Sequence, residues 1–340
     1  MKPTIYHVAE QAGVSIATVS KVINNTGRIG RETRENVLAI MKELGYEPSV
    51  VASALTGKHT NTIGLLVPDV ANPYFSELAR RIEDRGHEKG FSVVICNTDN
   101  GIEKEAEYVK WLHRKQVDGI ILGTGIQDNR TLHELLKQET PTALVARDSP
   151  SLQVDTVRID DYLGGRLATE HLLELGHTNL GFMLGGLNSS SEEERLRGVR
   201  SVMTTNNLSV CEKDIVTDAY TIEEAKQQAM KILTQAQPPT AIFAMNDLLA
   251  NGVMKAAREL GLRLPQDISV IGFDNTLLAS ISEPPLTTIA QPIADLGTQV
   301  TDLLVQEILG EKTVKQRIVL LPSLVVREST TTIARTPVQK

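Results

Sequence analysis

The sequence predicts an α/β protein in which a small all-α headpiece precedes a core of two doubly wound lobes. Two short amphipathic helical stripes separated by a glycine open the chain, within residues 4–24. From Thr62 onward, strand-like apolar runs alternate with helical stretches of about 10 to 15 residues, the rhythm of parallel βαβ units. That rhythm occurs in two successive runs, which predicts two lobes rather than one large sheet.

The first stretch predicts a helix-turn-helix unit. Gly13 ends the first helix, and Ser15 can cap the second by accepting hydrogen bonds from its free N–H groups. In this unit the second helix lies in the DNA major groove. The apolar or small residues at helical spacing are Ile5, Val8, Ala9 and Ala12 in the first helix, and Val19, Val22 and Ile23 in the second.

The outward-facing positions of the second helix are small, hydroxylated or basic. Such side chains suit close approach to a polyanion, because short hydroxyls grip phosphates and a long cation reaches a base edge. The turn alone leaves an alternative open, in which it merely joins two core helices of an enzyme. These positions are Ile16, Ala17, Thr18, Ser20, Lys21 and Asn24.

The charge of the chain is unevenly placed. The 340 residues carry a net charge of −7, but residues 1–60 hold seven Lys and Arg against five Glu, whereas the remainder holds 28 against 37. A slightly basic head on an acidic body confines any contact with nucleic acid to the head.

Cysteine usage and hydropathy indicate an intracellular protein. Cys96 and Cys211 lack metal-ligand spacing, so we expect no disulfide and a reducing compartment. No apolar run approaches the roughly 20 residues needed to cross a bilayer. We therefore expect a cytoplasmic protein without a membrane anchor.

After the second helix, the pattern predicts a third helix over 31–44 that closes a minimal core. Pro48 breaks the chain, because the residue before a proline is pushed out of helical geometry. A small-residue segment from Ser49 to Gly57 is long enough for barely two helical turns. So short a helix is unstable alone and should form only against a partner surface.

The alternating region supplies the two lobes. In such sheets, ligands bind beyond the carboxyl ends of the strands, and with two lobes the natural site is the cleft between them. Candidate strands cover 62–68, 91–96, 117–122, 142–146, 156–159, 180–184, 214–220, 240–245 and 267–273. Candidate helices cover 73–89, 103–115, 130–138, 161–175, 191–206, 222–235 and 247–260.

Polar and aromatic side chains at these strand ends predict a pocket for a small hydroxylated molecule. Hydroxyls need bidentate donors and acceptors, and sugar rings need flat apolar faces. Each position alone is equally consistent with an ordinary solvent-exposed loop. The candidates are Asp69, Asn72, Tyr74, Phe75, Gly123, Thr124, Arg147, Asp148, Ser191, Arg195, Tyr220, Asn246 and Asp274.

Sequence signatures of enzymes and cofactors are absent. The chain contains no GxSxG elbow, no phosphate-binding GxxxxGK[ST] loop, no HExxH and no CxxC pair, and its seven histidines are scattered. We therefore expect no enzymatic activity, no cofactor and no metal site.

At this point the sequence resembles the LacI/GalR family of bacterial transcription regulators over essentially its whole length. The resemblance implies a DNA-binding headpiece (1–47), a hinge helix and linker (48–60), a core like that of periplasmic sugar-binding proteins (61–330) and a tail (331–340). The segments that carry it are VAEQAGVSIATVSKVIN at 8–24, TRENVLAIMKELGYEP at 33–48, ASALTGKHTNTIGLLVPD at 52–69, EHLLELGH at 170–177, PTAIFAMND at 239–247, DISVIGFDN at 267–275 and PPLTTIAQP at 284–292.

The resemblance also assigns roles to DNA-contacting residues. It implies that Ile16, Ala17 and Lys21 read bases, and that Ser15, Thr18, Ser20 and Asn24 hold phosphates. Leu55 matches the hinge leucine that wedges into the minor groove, with Ala52 on the same face. Lys21 stands where arginine is common, which removes the planar fork that reads guanine bidentately.

In the core, the resemblance implies that the effector pocket is lined by Ser191, Arg195, Tyr220, Asn246, Asp274 and Gln291. Asp69, Asn72, Phe75 and Arg147 join them by their places at strand ends. The Arg147-Asp148 order departs from the family, where Asp followed by Arg is more common. Two cations in one cleft favour an acidic sugar derivative, unless Arg147 pairs with Asp148, Asp160 or Asp161.

The resemblance implies a transcriptional regulator, expected to be a repressor, that binds a pseudo-palindromic double-stranded operator as a homodimer. A small effector, either a sugar or a sugar acid or phosphate, would gate it. A sugar-transport component would share the core but has no use for residues 4–57, and a sugar-active enzyme would need the missing catalytic groups. The tail lacks the apolar heptads that assemble tetramers.

Overall fold

The computed structural model describes residues 3–23, 26–46, 59–124, 129–185, 190–217 and 219–333. The chain divides into two compact units, Met1–Thr60 and Asn61–Lys340. Asn24 and the hinge positions Ala52 and Leu55 lie outside the described residues.

The first unit is a three-helix cluster built from α1 (Ile5–Ala12), α2 (Ile16–Ile23) and α3 (Arg31–Leu44). Each helix contributes at least one fully buried valine, and together they form the core that the helical stripes predict. Gly13 (φ +64°) and Gly45 (φ +60°) end α1 and α3 in the left-handed conformation that glycine adopts without strain.

The second unit contains two sheets of six strands each, and the predicted α/β fold class is confirmed. The first sheet has the order β11-β5-β4-β3-β1-β2 and is parallel. The second has the order β12-β10-β9-β8-β6-β7, in which only β12 runs antiparallel to its neighbour. The strands are β1 Thr62–Val67, β2 Ser92–Asn97, β3 Gly119–Leu122, β4 Thr142–Val145, β5 Asp155–Ile159, β6 Leu180–Met183, β7 Ile215–Val216, β8 Ala241–Ala244, β9 Ser269–Asp274, β10 Thr287–Ala290, β11 Arg317–Leu320 and β12 Ser323–Val325.

Helices cover both sheets, as a doubly wound arrangement requires. A short 3-10 turn, Glu212–Asp214, precedes β7. Among the described residues, every helix is too short or too polar to span a bilayer. The helices of this unit are α4 Pro73–Glu88, α5 Ile102–Arg114, α6 Arg130–Lys137, α7 Asp161–Glu174, α8 Ser190–Thr205, α9 Ile222–Leu233, α10 Asp247–Glu259, α11 Leu277–Ile281 and α12 Ile293–Ile308.

The lobes are not two strictly successive runs of chain. After β10 the chain returns to the first lobe, where α12 packs on α4 and the first sheet and β11 pairs with β5. It then crosses once more to place β12 beside β10. The sequence pattern did not predict β11 and β12, because both are short strands without the helical alternation that identifies the others. The 16-residue helix α12 was not predicted either.

One predicted strand is much shorter than expected. The run 214–220 was expected to be a strand, but only Ile215–Val216 pairs, with Phe182 and Met183 of β6. This strand lies at the edge of its sheet, where ladder bonds are available on one side only.

Candidate DNA-binding and effector sites

The start of α2 is organised by Ser15. The backbone N–H of Thr18 donates to Ser15 Oγ at 3.1 Å, and the two hydroxyl oxygens lie 2.9 Å apart. This cap satisfies an N–H of the first helical turn, as the sequence predicts. Ser15 and Thr18 therefore stand together at the helix N-terminus, where partial positive charge favours a phosphate.

The predicted DNA-reading side chains are accessible. Ser15, Ile16, Ala17 and Lys21 are exposed, whereas Thr18 and Ser20 are half-buried. Ile16 leaves 41% of its surface in solvent although α2 has a complete apolar core face without it. Ile16 is therefore not part of the core of the headpiece and is accessible to a partner.

The stem of Lys21 lies close to Gly27 in the loop that follows α2. A β-carbon on Gly27 would lie 3.3 Å from Lys21 Cδ, so the glycine leaves room for the lysine stem. Gly27 itself has φ +73°.

Tyr6 is an accessible aromatic residue that the sequence reasoning did not select. It projects from α1 with 68% of its surface exposed. The apolar pattern of α1 could have identified it, because Tyr6 falls between Ile5 and Val8 on the outward side of the helix. A phenol there can donate to a phosphate oxygen, which the focus on α2 overlooked.

In the core, the buried guanidinium of Arg195 is the centre of the polar cluster. Its Nε donates to Asp161 Oδ1 at 2.8 Å, and its Nη1 donates to the carbonyl oxygen of Met245. The guanidinium carbon lies 3.5 Å from the centroid of the Phe273 ring, a stacked cation–π contact. Although burial opposes it, the carboxylates of Asp161 and Asp274 hold the pKa of Arg195 above its usual value.

Asp274 ends β9 beside this cation. Gln291 Nε2 donates to Asp274 Oδ1 at 2.7 Å, which brings together two predicted effector residues. Burial raises the pKa of Asp274 well above its ordinary value, and the positive charge of Arg195 partly offsets this. Burial likewise raises the pKa of Asp161, with Arg195 again opposing.

The backbone at Asp274 is unusual. Asp274 has φ +109° and the next residue, Asn275, has φ +61°. Non-glycine residues in such conformations cost about 1–3 kcal/mol each and persist only when surrounding contacts enforce them. Surrounding contacts therefore hold the backbone of Asp274, and with it the carboxylate, in place.

Arg147 belongs to a second buried cluster, around Glu105. Its Nη1 donates to Thr124 Oγ1 at 3.0 Å and lies 3.8 Å from Glu105 Oε2. The Thr124 hydroxyl in turn donates to Glu105. Burial lowers the pKa of Arg147, and the charge of Glu105 opposes this.

The alternative pairing of Arg147 with a neighbouring aspartate is wrong. Asp148 pairs with Arg317 and Arg158, and Asp161 with Arg195. Asp160 accepts from the backbone N–H of Leu163 as the cap of α7. Glu105 was missed because it lies 42 positions away in sequence, in the acidic first turn of α5, where a carboxylate is unremarkable.

Three candidates from the first lobe lie at the start of α4. Asn72 caps that helix by accepting from the backbone N–H of Tyr74 at 3.1 Å, and Asp69 Oδ1 accepts from Ala71 N at 2.8 Å. Phe75 is half-buried and packs edge to face on Tyr74, with centroids 5.0 Å apart. The side chains of Asp69 and Asn72 thus shape the loop.

In the same segment, the hydrogen-bonding capacity of the Tyr74 hydroxyl is unsatisfied within the described part of the chain. Its hydroxyl is buried and has no hydrogen-bond partner among the described residues. Burial raises the pKa of Tyr74, and the charges of Asp274, Arg195 and Asp161 act on it. The hydroxyl of this first-lobe residue is therefore within electrostatic reach of the charged groups of the second lobe.

The remaining candidates differ in how they are placed. Ser191 Oγ donates to the carbonyl oxygen of Ala146 at 3.1 Å, which joins α8 of the second lobe to the loop after β4 of the first. Asn246 caps α10 by accepting from Leu249 N at 2.8 Å. Tyr220 leaves 55% of its surface exposed.

Two segments of the chain match known protein families. The family described as bacterial regulatory proteins of the lacI family matches residues 4–49, and a periplasmic-binding-protein-like domain matches residues 169–330. The HTH-type transcriptional regulator DegA of Bacillus subtilis (strain 168) is 46% identical over 97% of this chain and 98% of its own length.

Two solved structures match this chain to different extents. The lac repressor dimer bound to operator and the anti-inducer ONPF superposes with a TM-score of 0.87 at 34% identity, covering 98% of this chain and 100% of that one. A LacI-family transcriptional regulator from Enterococcus faecium with bound ribose superposes with a TM-score of 0.73 at 33% identity, covering 80% and 100%.

Proposed function

Because the chain belongs to the LacI family, and is a DNA-binding transcriptional repressor, we propose that a small neutral sugar bound between its two lobes gates operator binding. Its relatives are transcriptional regulators rather than enzymes. We propose the chemical class of the effector and the residues that contact it.

One observation carries the effector proposal: a buried polar cluster whose groups come from both lobes. Arg195, Asp274 and Gln291 lie in the second lobe, and the unpartnered Tyr74 hydroxyl lies in the first. A buried hydroxyl without a partner is costly, by about 1–3 kcal/mol. A polyhydroxylated ligand would supply that partner and add bonds to both lobes.

Charge balance favours a neutral ligand over an acidic one. The two cations that suggested an acidic sugar are both opposed by buried carboxylates: Arg147 by Glu105, and Arg195 by Asp161 and Asp274. An added anion would therefore enter a site that already holds more carboxylates than guanidinium groups. Hydroxyls can instead donate to Asp274 and accept from Arg195 without introducing charge.

For the DNA contact, we propose the exposed face of α2 and the Ser15 cap that precedes it. Ile16, Ala17 and Lys21 would meet base edges, while Ser15 and Thr18 would hold phosphates. The hinge residues Ala52 and Leu55 are proposed, from the family resemblance alone, to enter the minor groove.

A homodimer accords with the surface of the first lobe. Edge strand β2 and helix α5 border a groove of about 490 Å³, and it exposes Ile95 and Trp111 at 45% and 38%. A sheet edge with exposed apolar side chains is normally covered by a partner. A second copy of the chain would cover it, and the resulting dimer would carry the two headpieces that a pseudo-palindrome needs.

Selection of duplexes by the full chain, followed by fluorescence anisotropy, tests this function. The selected duplex should be an inverted repeat, and D-ribose should change its dissociation constant whereas the acid D-ribonate should not. The bound ribose of the E. faecium neighbour makes D-ribose the first probe. Selection of a non-repeated sequence would contradict the dimeric contact, and a larger response to D-ribonate would contradict the neutral effector.

A further inference from the structure

The strained turn after β9 has a single carboxylate beneath it. Asp247 Oδ2 accepts from the backbone N–H of Thr276 at 2.7 Å and from the Thr276 hydroxyl at 3.0 Å. Asp247 Oδ1 accepts from the Thr288 hydroxyl at 2.6 Å. One side chain therefore ties the residue that follows Asp274 and Asn275 to the neighbouring strand β10.

The surroundings of Asp247 are built to admit this carboxylate. A β-carbon on Gly272 of β9 would lie 2.6 Å from Asp247 Oδ1, so a side chain there would displace it. Asp247 is the first residue of α10, where the helix N-terminus favours negative charge. Only 1% of its surface is exposed, so solvent cannot replace its three bonds.

The rest of the turn is fastened independently. Arg327 Nη2 donates to Asn275 Oδ1 at 2.6 Å, and Arg327 Nη1 donates to the Leu286 carbonyl oxygen at 2.8 Å. Gln291 holds the side chain of Asp274. Neither Arg327 nor Gln291 bonds to the backbone N–H of Thr276. Of these three residues, only Asp247 therefore holds the end of the turn.

We infer that Asp247 is a positioning residue of the effector site. By anchoring Thr276 it enforces the positive φ angles of Asp274 and Asn275 and so aims the Asp274 carboxylate at the ligand. This inference rests on the proposed function, because it assigns Asp247 to the same site without direct contact with the sugar.

A purely structural carboxylate would look similar in a stability assay, so the test needs a matched control. Ser329 makes a comparable set of buried bonds in the same sheet, to Val270 and Thr287, and stands outside the effector cluster. Ser329→Ala should lower the melting temperature and leave the affinity for D-ribose unchanged.

Asp247→Ala should weaken D-ribose binding about tenfold, measured by calorimetry on full-length protein below its melting temperature. Alanine removes both acceptor oxygens, whereas asparagine could keep Thr276 on its oxygen and donate its amide to the Thr288 hydroxyl. If this variant fails to fold, Thr276→Val replaces it, with Thr276→Ser as the conservative variant that should retain wild-type affinity. Affinity within twofold of wild type, together with a loss of stability like that of Ser329→Ala, would overturn the assignment.

A readout without ligand separates this inference from the proposed function. A crystal structure of Asp247→Ala should show Asp274 at negative φ and the Thr276 amide without its Asp247 acceptor. Retention of the wild-type turn would refute the inference whatever the effector is. If wild type binds no neutral sugar while the turn relaxes as expected, the neutral-sugar proposal fails and Asp247 still positions Asp274.

Discussion

The outward face of α2 and the buried cluster around Arg195 are both proposed binding surfaces, yet they are constrained in opposite ways. The side chains of α2 that meet solvent have few partners, and the core beneath them is complete without them. Arg195 and Asp274 are buried and hold each other's charge in balance. The difference implies that DNA specificity can change without loss of stability, whereas effector specificity cannot.

The largest effect should come from breaking the buried ion pair. Arg195→Met should lower the free energy of unfolding by about 3–5 kcal/mol, because it leaves Asp161 and Asp274 without their cation. The urea unfolding transition of the second unit measures this change in free energy. Arg195→Met combined with Asp161→Asn should recover part of the stability without recovering D-ribose binding. Full recovery of binding in the double variant would show that the guanidinium is only structural.

A smaller effect should follow from releasing Arg147. Glu105→Gln removes the carboxylate that opposes this cation while keeping an acceptor for Thr124. A charge-assisted hydrogen bond to a ligand carboxylate contributes roughly 1.5–3 kcal/mol, so the preference for D-ribonate over D-ribose should rise by about tenfold or more. Competition calorimetry with both sugars measures the ratio. An unchanged ratio would place Arg147 outside the ligand site.

On the exposed surface, Lys21→Ala should alter DNA recognition and not stability. Selectivity among half-site variants should fall, and the melting temperature should remain that of wild type, since surface substitutions typically change stability by less than about 0.5 kcal/mol. Lys42→Ala, an equally exposed lysine on α3, controls for the loss of charge. Anisotropy titrations on several duplexes decide the matter: equal loss of affinity for all of them would mean that Lys21 contacts only the backbone.

The smallest effect concerns pH and the C-terminal segment. His177 Nε2 donates to the Thr331 carbonyl oxygen at 2.9 Å, and His171 Nε2 lies 3.0 Å from Thr330 Oγ1. Burial lowers the pKa of both imidazoles. Their stabilising contribution is therefore complete above the unfolded pKa of about 6.5 and is lost as pH falls below it toward the lowered folded values.

Hydrogen exchange of the Thr331 and Ile333 amides, corrected for intrinsic rates, should show less protection at pH 5.5 than at pH 7.5. The Leu249 amide, which is capped by Asn246 in the same lobe, serves as an internal reference. Equal changes at both places would indicate general unfolding instead of local release.

Local patterns predicted much of this molecule because their causes are local. The helix stripes, the Ser15 cap and the alternation of strands with helices depend on neighbouring residues, and the structure reproduces them. The return of α12 and β11 to the first lobe could not be predicted in this way. Their placement depends on burial against surfaces formed more than 150 residues earlier, for which short strands carry no signal.

What the sequence determined by itself is the chemistry at each strand end and the class of protein. Arg147, Arg195 and Asp274 were identifiable from their positions along the chain, and Gln291 from the family resemblance. What only the tertiary structure decided is which charges meet. The electrostatic field at a buried site is the sum of contributions from all charged groups that folding brings together. At low dielectric, a single carboxylate that is distant in sequence, such as Glu105, can therefore reverse the preference of the site between a neutral and an acidic ligand.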